Sequence, residues 1–335
     1  MKRNEFSALV EEDGSGILHN VSNTRYKKWG INSLGFRGKK IDLAKKEGQV
    51  RIVCLGGSET FGYFESEGKE WPSQLGEMLR DQFPMAEVIN ASVVGLHPKN
   101  RKDYIEKYVL PLKPDIMIVF RQRLLEYVID GIRGVERRHL ANKANEKKII
   151  NPVKESLSLV RVLTKLGEIL EGCLPERLST HIRIRRLHRK VRRKEERYLI
   201  DKEPMDKVPE NIVLEYEKHL GSFIHFLKEN NIVPVLSTFP GLITSSNKDT
   251  YKNISLATRS LCIELSENGF VDGSIKFNDA ARRIAREQNV AFIDIDSSIP
   301  KTQEYFRENY HYTNKGAEII AKNIYHILIQ SKLIK

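Results

Sequence analysis

Five short apolar runs recur along the chain, and the segments between them have the periodicity of helices. The runs are rich in β-branched residues and span 50–55, 86–91, 115–120, 232–239 and 290–295. An almost wholly apolar run of this length is typical of a strand that is buried on both faces. Helices are predicted to begin near Trp71 and to cover 100–110, 209–229 and 277–288. The pattern therefore predicts an α/β fold whose parallel sheet is covered by helices on both faces.

The alternation of strands and helices is interrupted in segment 131–208. Apolar residues follow helical spacing there, and the segment contains 21 basic and 11 acidic residues. It therefore carries +10 of the net charge of +12. We predict a lead-in segment (1–45), an α/β domain (46–130 and 209–335) and an inserted basic helical subdomain or cap (131–208).

The most basic part of the insert lies between residues 183 and 197, where nine residues are basic and two are acidic. On a helix such a run is either a solvated face or a docking surface for an anionic membrane, a nucleic acid or an acidic polymer. Aromatic residues are scarce there, which argues against stacking on single-stranded bases. The arginines expected to contact an anionic partner are Arg185, Arg186, Arg189 and Arg193.

Composition narrows the class of protein. The 335 residues are 40% hydrophobic and 30% charged, which suits one large globular domain or two small ones. No window approaches the roughly 18 apolar residues of a transmembrane segment, and the start does not resemble a secretory signal. The three cysteines are too widely spaced for a disulfide framework or a zinc cluster. We expect a cytoplasmic protein, at most peripheral at a membrane surface.

The turns that follow four of the predicted strands are expected to meet. In an open parallel sheet, ligands bind beyond the carboxyl ends of the strands. This rule places four turns along one edge of the sheet: 56–60, 91–95, 121–125 and 237–240. The sequence thus predicts one site that is built from several separate turns.

Three of the sequence features near these turns and the C terminus can take part in chemistry. Ser58 stands in a glycine-flanked turn that directly follows the first strand, where its hydroxyl can be held clear of the backbone. Glu308 precedes His311 by three residues, a spacing at which a carboxylate can orient an imidazole toward a nucleophile. Gly95 can present its backbone N–H to an oxyanion. Each feature alone is more often a plain turn or a solvated surface pair than a functional site.

Taken together and in this order, the features resemble the motifs of the SGNH hydrolases, also called GDSL-like esterases. The run GGSETFG at 56–62 resembles the nucleophile block of that family. NASVVG at 90–95 resembles its glycine block, and ENYHYTNKG at 308–316 resembles its acid–base block. NSLGFRG at 32–38 is similar to a lead-in of many bacterial members. The resemblance extends over two stretches of the chain, 30–125 and 209–330.

This resemblance implies a three-layer, flavodoxin-like fold and a role for each matching residue. Ser58 would be the nucleophile, and His311 the general base that later acts as general acid. Glu308 would orient the imidazole, and the backbone N–H groups of Ser58 and Gly95 would form part of the oxyanion hole. Such chemistry needs no metal and no organic cofactor, and we expect none.

Two departures from the family pattern leave the activity open. The acid is Glu308, where the family usually has an aspartate. Leu124 stands where the family's third block has an asparagine that donates a hydrogen bond to the oxyanion. Losing one such donor typically lowers turnover by about 100- to 1,000-fold.

Neighbouring polar residues can compensate for Leu124. Gln122 can donate to the oxyanion, while Arg121, Arg123 and His97 are candidate substrate-binding residues. The alternative is that these residues have only structural roles: the two arginines pair with a nearby glutamate, and His97 makes a local hydrogen bond.

The sequence therefore favours a serine-dependent ester hydrolase, or an O-acyltransferase, that acts on a small acyl or acetyl ester of a sugar or lipid. The alternative is a catalytically silent SGNH-like binding or scaffold protein that engages an anionic partner through the basic insert.

Overall fold

The structure is a computed structural model that describes residues 8–97, 100–120, 127–129, 131, 176–198 and 203–334. Two small antiparallel hairpins come first: β1 (Val10–Glu12) pairs with β2 (Leu18–Asn20), and β3 (Arg25–Tyr26) pairs with β4 (Trp29–Gly30). The sequence did not predict them, because strands of two or three residues are too short to show an alternating pattern.

A five-stranded parallel sheet forms the centre of the described chain. Its strands are β5 (Val50–Leu55), β6 (Ala86–Asn90), β7 (Ile116–Val119), β8 (Val233–Ser237) and β9 (Ala291–Ile293). They pair in the order β6-β5-β7-β8-β9, and every pairing is parallel. Counted along the sheet, this is the flavodoxin-like order of a doubly wound fold. Each strand falls within one of the predicted apolar runs, so the predicted fold class is confirmed.

Helices connect and cover these strands. They are α1 (Ser58–Phe61), α2 (Trp71–Arg80), α3 (Arg101–Tyr104), α4 (Glu176–Tyr198), α5 (Glu210–Glu229), α6 (Lys252–Arg259), α7 (Glu267–Glu287), α8 (Ile295–Ser298) and α9 (Asn314–Gln330). A π-helical stretch, Ile105–Val109, continues α3.

The start predicted for the helix at 277–288 was wrong, because α7 begins at Glu267. The Ser266 hydroxyl caps it by accepting a hydrogen bond from the Gly269 N–H at 3.1 Å. Gly269 weakens the helical signal of the sequence. Its backbone packs so closely on the carbonyl of Met205 that a Cβ atom would collide with it. The close contact with Met205 thus requires a glycine at position 269, and that glycine hid the start of α7 from the sequence analysis.

Successive residues of β5 point to opposite sides of the sheet. Val53 and Leu55 pack into a core with α5 and α7, while Ile52 and Cys54 pack into a second core with α2 and α9. Burial raises the pKa of the Cys54 thiol well above its usual value. Cys54 is therefore a core residue, as its position inside a strand suggested.

The basic helix α4 lies against α6. Val191 of α4 is buried, and the Lys194 ammonium donates to the Ser260 carbonyl at the end of α6 at 2.7 Å. Arg259 pairs with Glu195 across the same contact. The remainder of the predicted insert between 132 and 175 lies outside the described residues, so the domain boundaries stay a prediction. Within the described ranges, the helices are too short or too polar to cross a membrane.

Candidate active site

A tight turn after β5 positions Ser58 as the first residue of α1. A Cβ atom on Gly56 would collide with the Thr60 hydroxyl, so the turn needs a glycine there. The Gly57 N–H donates to the Glu59 carboxylate at 2.7 Å, which fixes the turn from the other side. Because Ser58 opens the helix, its own backbone N–H has no intrahelical acceptor. This N–H can donate to a group bound beside the hydroxyl.

The structure brings Ser58, His311 and Glu308 together from opposite ends of the chain. His311 Nε2 lies 2.9 Å from Ser58 Oγ, within reach for proton transfer. His311 Nδ1 lies 3.2 Å from Glu308 Oε2. The imidazole is largely covered, with 22% of its side chain exposed, whereas 55% of the Glu308 side chain is exposed. The carboxylate can thus hold the imidazole in one orientation, although water screens part of its charge.

The loop that carries His311 is held by backbone hydrogen bonds. The Arg307 N–H donates to the His311 carbonyl at 2.8 Å and closes the loop on itself. Asn309, in the middle of the loop, is buried and accepts from two residues beyond β8. The Leu242 N–H donates to its carbonyl, and the Ile243 N–H donates to its side-chain oxygen, both at 2.9 Å. These bonds fix the imidazole relative to the carboxyl edge of the sheet.

Aromatic side chains that the sequence analysis missed surround the imidazole. The Phe64 ring meets the His311 ring edge-on at 5.3 Å between centroids, and the Tyr63 ring lies 5.9 Å away. Trp29 of β4 stacks on Tyr63 at 5.1 Å. No local motif signals this group, because its members come from two separate segments that only the fold brings together.

Ionisable side chains contact the loop that carries Phe64. The Lys28 ammonium donates to the Phe64 carbonyl at 2.6 Å, and the Phe64 N–H donates to the Glu65 carboxylate at 3.0 Å. Burial raises the pKa of Glu65 to about 8. Burial also lowers the pKa of Arg37, whose guanidinium lies 4.9 Å from the Phe61 ring and 3.6 Å from Glu70. The loop beside His311 is thus supported by groups whose charge is costly to bury.

Gly95 lies in a turn whose backbone conformation favours a glycine. Gly95 has φ +91°, a backbone angle that residues with a side chain rarely adopt. The start of the same loop is fixed by Asn90, whose side-chain oxygen accepts from the Ser92 N–H at 3.2 Å. The Asn90 amide also donates to the Thr60 carbonyl at 2.9 Å. One buried asparagine therefore joins the serine turn to the glycine loop.

The remaining predicted site residues are only partly described. His97 is half-buried on the loop between Gly95 and α3. Arg121, Gln122, Arg123 and Leu124 lie outside the described residues. Arg185, Arg186, Arg189 and Arg193 are described, and all four are exposed on α4.

A cavity of about 650 Å³ lies elsewhere, along the outer edge of β6 between the lead-in segment and α2. Its lining mixes lysines and arginines with glutamates, and it includes none of Ser58, Glu308 and His311. The cavity therefore does not belong to the candidate active site.

The order of the motifs along the fold is the one that the sequence resemblance implied. The serine directly follows the first parallel strand of the sheet, and the acid–histidine pair directly precedes the last helix, α9. The strand order is flavodoxin-like, as that resemblance implied. No protein-family model matches the chain, and no curated protein sequence matches it.

Several solved structures are similar to this fold. An acetylxylan esterase from Geobacillus stearothermophilus is 13% identical, with 85% of this chain and 96% of that chain covered and a TM-score of 0.46. A lipase/acylhydrolase from Enterococcus faecalis is 14% identical, covers 84% of this chain and 97% of its own, and has a TM-score of 0.47. A protein of the G-D-S-L family from Desulfitobacterium hafniense DCB-2 is 15% identical, with 84% of this chain and 100% of that chain covered and a TM-score of 0.44. Similarity at this level concerns the fold and does not extend to activity.

Proposed function

We propose that the protein is a serine-dependent ester hydrolase in which Ser58 is the nucleophile, His311 the general base and Glu308 the orienting acid. The observation that supports this most directly is the 2.9 Å distance between Ser58 Oγ and His311 Nε2. A hydroxyl becomes a useful nucleophile when a base within hydrogen-bonding distance can take its proton. The buried, glycine-dependent turn that holds Ser58 adds support, because a plain surface turn needs no such restraint.

In the proposed mechanism, His311 Nε2 takes the proton of Ser58 as Oγ attacks the ester carbonyl carbon. The backbone N–H groups of Ser58 and Gly95, with Gln122 as a further proposed donor, stabilise the oxyanion that forms. The alcohol leaves with the proton from His311, and the acyl group stays on Oγ. Water then attacks this acyl-enzyme and gives its proton to His311, so that the acid is released and Ser58 is restored.

We propose a small acyl or acetyl ester of a sugar or lipid as the substrate. Phe64 and Tyr63 offer an apolar surface next to the imidazole, where an acyl group or the face of a sugar ring can pack. Arg121, Arg123 and His97 are proposed substrate-binding residues. If a hydroxyl compound replaces water in the second step, the same residues perform O-acyl transfer.

A fluorophosphonate probe tests the nucleophile without knowledge of the natural substrate. We expect the probe to modify Ser58, and Ser58→Ala to lose both the label and hydrolysis of p-nitrophenyl acetate, with a fall of at least about 1,000-fold in kcat. Ser331→Ala, which changes an exposed serine after α9, is the matched control and keeps both signals. Equal hydrolysis by wild type and Ser58→Ala, without labelling, would instead support the silent binding protein.

We also propose that the exposed side of α4 binds an anionic surface or polymer, which would place the protein at the periphery of a membrane or on an acidic partner. Its exposed cations are Arg185, Arg186, Arg189, Lys190, Arg192 and Arg193. Val191, on the opposite side of the helix, is buried. The basic side chains are thus held on one solvent-facing side, where a polyanion can reach several at once.

The proposed compartment is the reducing cytoplasm. Cys54 and Cys262 are both buried free thiols. Cys262 donates its S–H to the Glu264 carboxylate at 3.3 Å. Thiols that are kept reduced and used as small core residues fit such a compartment.

A further inference from the structure

The hairpin formed by β1 and β2, called here the N-terminal hairpin, is bonded to the loop that carries Gly95. Asn20, at the end of β2, has 1% of its surface exposed. Its side-chain amide donates two hydrogen bonds, to the Ser92 carbonyl at 3.1 Å and to the Gly35 carbonyl at 2.9 Å. Both N–H groups of one amide are therefore used to join the loop to the lead-in segment.

The Leu18 side chain of the hairpin also lies near Gly95. A Cβ atom on Gly95 would lie 3.4 Å from the Leu18 Cδ2 atom, which is ordinary contact distance. Leu18 and Asn20 belong to the same strand and lie two residues apart, so they face the same side of the hairpin. One strand thus bonds to the loop at Ser92 and lies close to it at Gly95.

The turn end of the hairpin is attached beyond the other end of the glycine loop. Asp13 Oδ2 accepts hydrogen bonds from the Lys107 ammonium at 2.6 Å and the Tyr108 hydroxyl at 2.7 Å. These two donors hold the pKa of Asp13 well below its usual range. His19 stacks on the Tyr108 ring at 5.1 Å. The hairpin therefore bridges from the start of the glycine loop to the helical segment that follows it.

We propose that Asn20 is a positioning residue for the ester hydrolysis described above, and this inference rests on that proposed function. By holding the Ser92 carbonyl, Asn20 keeps the glycine loop in the conformation that directs the Gly95 N–H toward the oxyanion. An oxyanion donor that is not held in place must be ordered during the reaction, and its contribution to catalysis falls accordingly.

The test compares Asn20→Ala with Asn32→Ala. Asn32 is a matched control, because it is also buried in the lead-in segment. Its amide donates to the Lys39 carbonyl at 2.8 Å, and its oxygen accepts from the Leu34 and Phe36 N–H groups at 3.0 Å. All of these bonds stay within the lead-in segment and none reaches the glycine loop.

We expect Asn20→Ala to lower kcat for p-nitrophenyl acetate by about 10-fold with KM unchanged, and to speed amide hydrogen exchange in peptides that cover 92–97. Asn32→Ala leaves both quantities within about twofold of wild type, even if its Tm falls by a similar amount. Asp13→Asn, an isosteric change at the turn end of the hairpin, provides a second variant should Asn20→Ala fail to fold. It is expected to shift both quantities in the same direction by a smaller factor.

The two readouts separate this proposal from the proposed function. Unchanged exchange at 92–97 in both Asn20→Ala and Asp13→Asn would show that the hairpin does not hold the loop. Faster exchange with an unchanged kcat would refute the positioning role. If wild type shows no hydrolysis that depends on Ser58, the proposed function fails, and with it the role of Asn20 in catalysis; the exchange rates then still show whether Asn20 restrains the loop.

Discussion

At the scale of single residues, the acid of the candidate triad is the least protected member. Glu308 makes a hydrogen bond of 3.2 Å to His311, but more than half of its side chain is exposed. An exposed carboxylate stabilises an imidazolium less than a buried one, because water screens the charge. Its main contribution is therefore to hold the imidazole in one orientation and tautomer.

Glu308→Ala is expected to lower kcat for p-nitrophenyl acetate by about 100-fold, which is less than the loss from Ser58→Ala. Glu308→Gln keeps the length of the side chain and can still hydrogen-bond the ring, so a smaller loss is expected. Glu304→Gln is the control, since Glu304 lies in the same loop and pairs with Lys315 at 2.9 Å. If both Glu308→Ala and Glu308→Gln lowered kcat as much as Ser58→Ala does, the negative charge of Glu308 would matter more than its hydrogen bond to the imidazole.

At the scale of elements, one side of helix α4 contacts the protein and the other side faces solvent. Lys194 attaches it to the end of α6, while Arg185, Arg186, Arg189, Arg192 and Arg193 are exposed. Arg192 pairs with Glu196 one turn later at 3.4 Å, so part of the charge is neutralised within the helix. Such an exposed pair contributes little to stability.

Neutralising Arg185, Arg186, Arg189 and Arg193 to glutamine is expected to lower the salt concentration at which the protein elutes from heparin. It should also weaken binding to vesicles that contain phosphatidylserine. The control replaces four exposed lysines on other elements by glutamine and gives the same net charge: Lys113, Lys252, Lys322 and Lys332. If both variants elute together, only net charge matters and α4 is a solvated face.

At the scale of the whole molecule, buried Glu65 links stability to pH. An unfolded glutamate titrates near 4.5, whereas burial raises the pKa of folded Glu65 to about 8. Between these values the folded protein keeps a proton that the unfolded chain has released. The contribution of Glu65 to stability is therefore fully present below pH 4.5 and is lost as the pH rises to about 8.

Glu65→Gln is expected to remove this dependence, because an amide does not titrate. Relative to wild type, the variant should gain free energy of unfolding as the pH rises from about 5 to 8.5, by ~4 kcal/mol. Urea unfolding at several pH values measures this difference. Glu67→Gln is the control: the hydrogen bond from Arg25 lowers the pKa of exposed Glu67, so its titration falls below this window. A constant difference between Glu65→Gln and wild type would show that Glu65 is ionised in the folded protein throughout the range.

The sequence by itself determined the features that depend on local order. Apolar runs predict the five strands because a strand buried on both faces has no polar alternation to interrupt it. Ser58 stood out because glycines flank it directly after a predicted strand. Glu308 and His311 stood out because they are three residues apart, a spacing at which a carboxylate can orient an imidazole. The direction of a parallel sheet then predicts that the turns at 56–60 and 91–95 share an edge.

Tertiary structure alone decided the contacts between segments that are distant along the chain. The pairing of Asn20 with Ser92 and the stack of Trp29 on Tyr63 leave no trace in local periodicity. The early start of α7 was hidden because a glycine lowers helical propensity, and only the close approach of Met205 shows why it is there. Spacing along a chain reports which residues can share a strand or a helix. It does not report which strands and helices contact each other, because those contacts are set by tertiary packing.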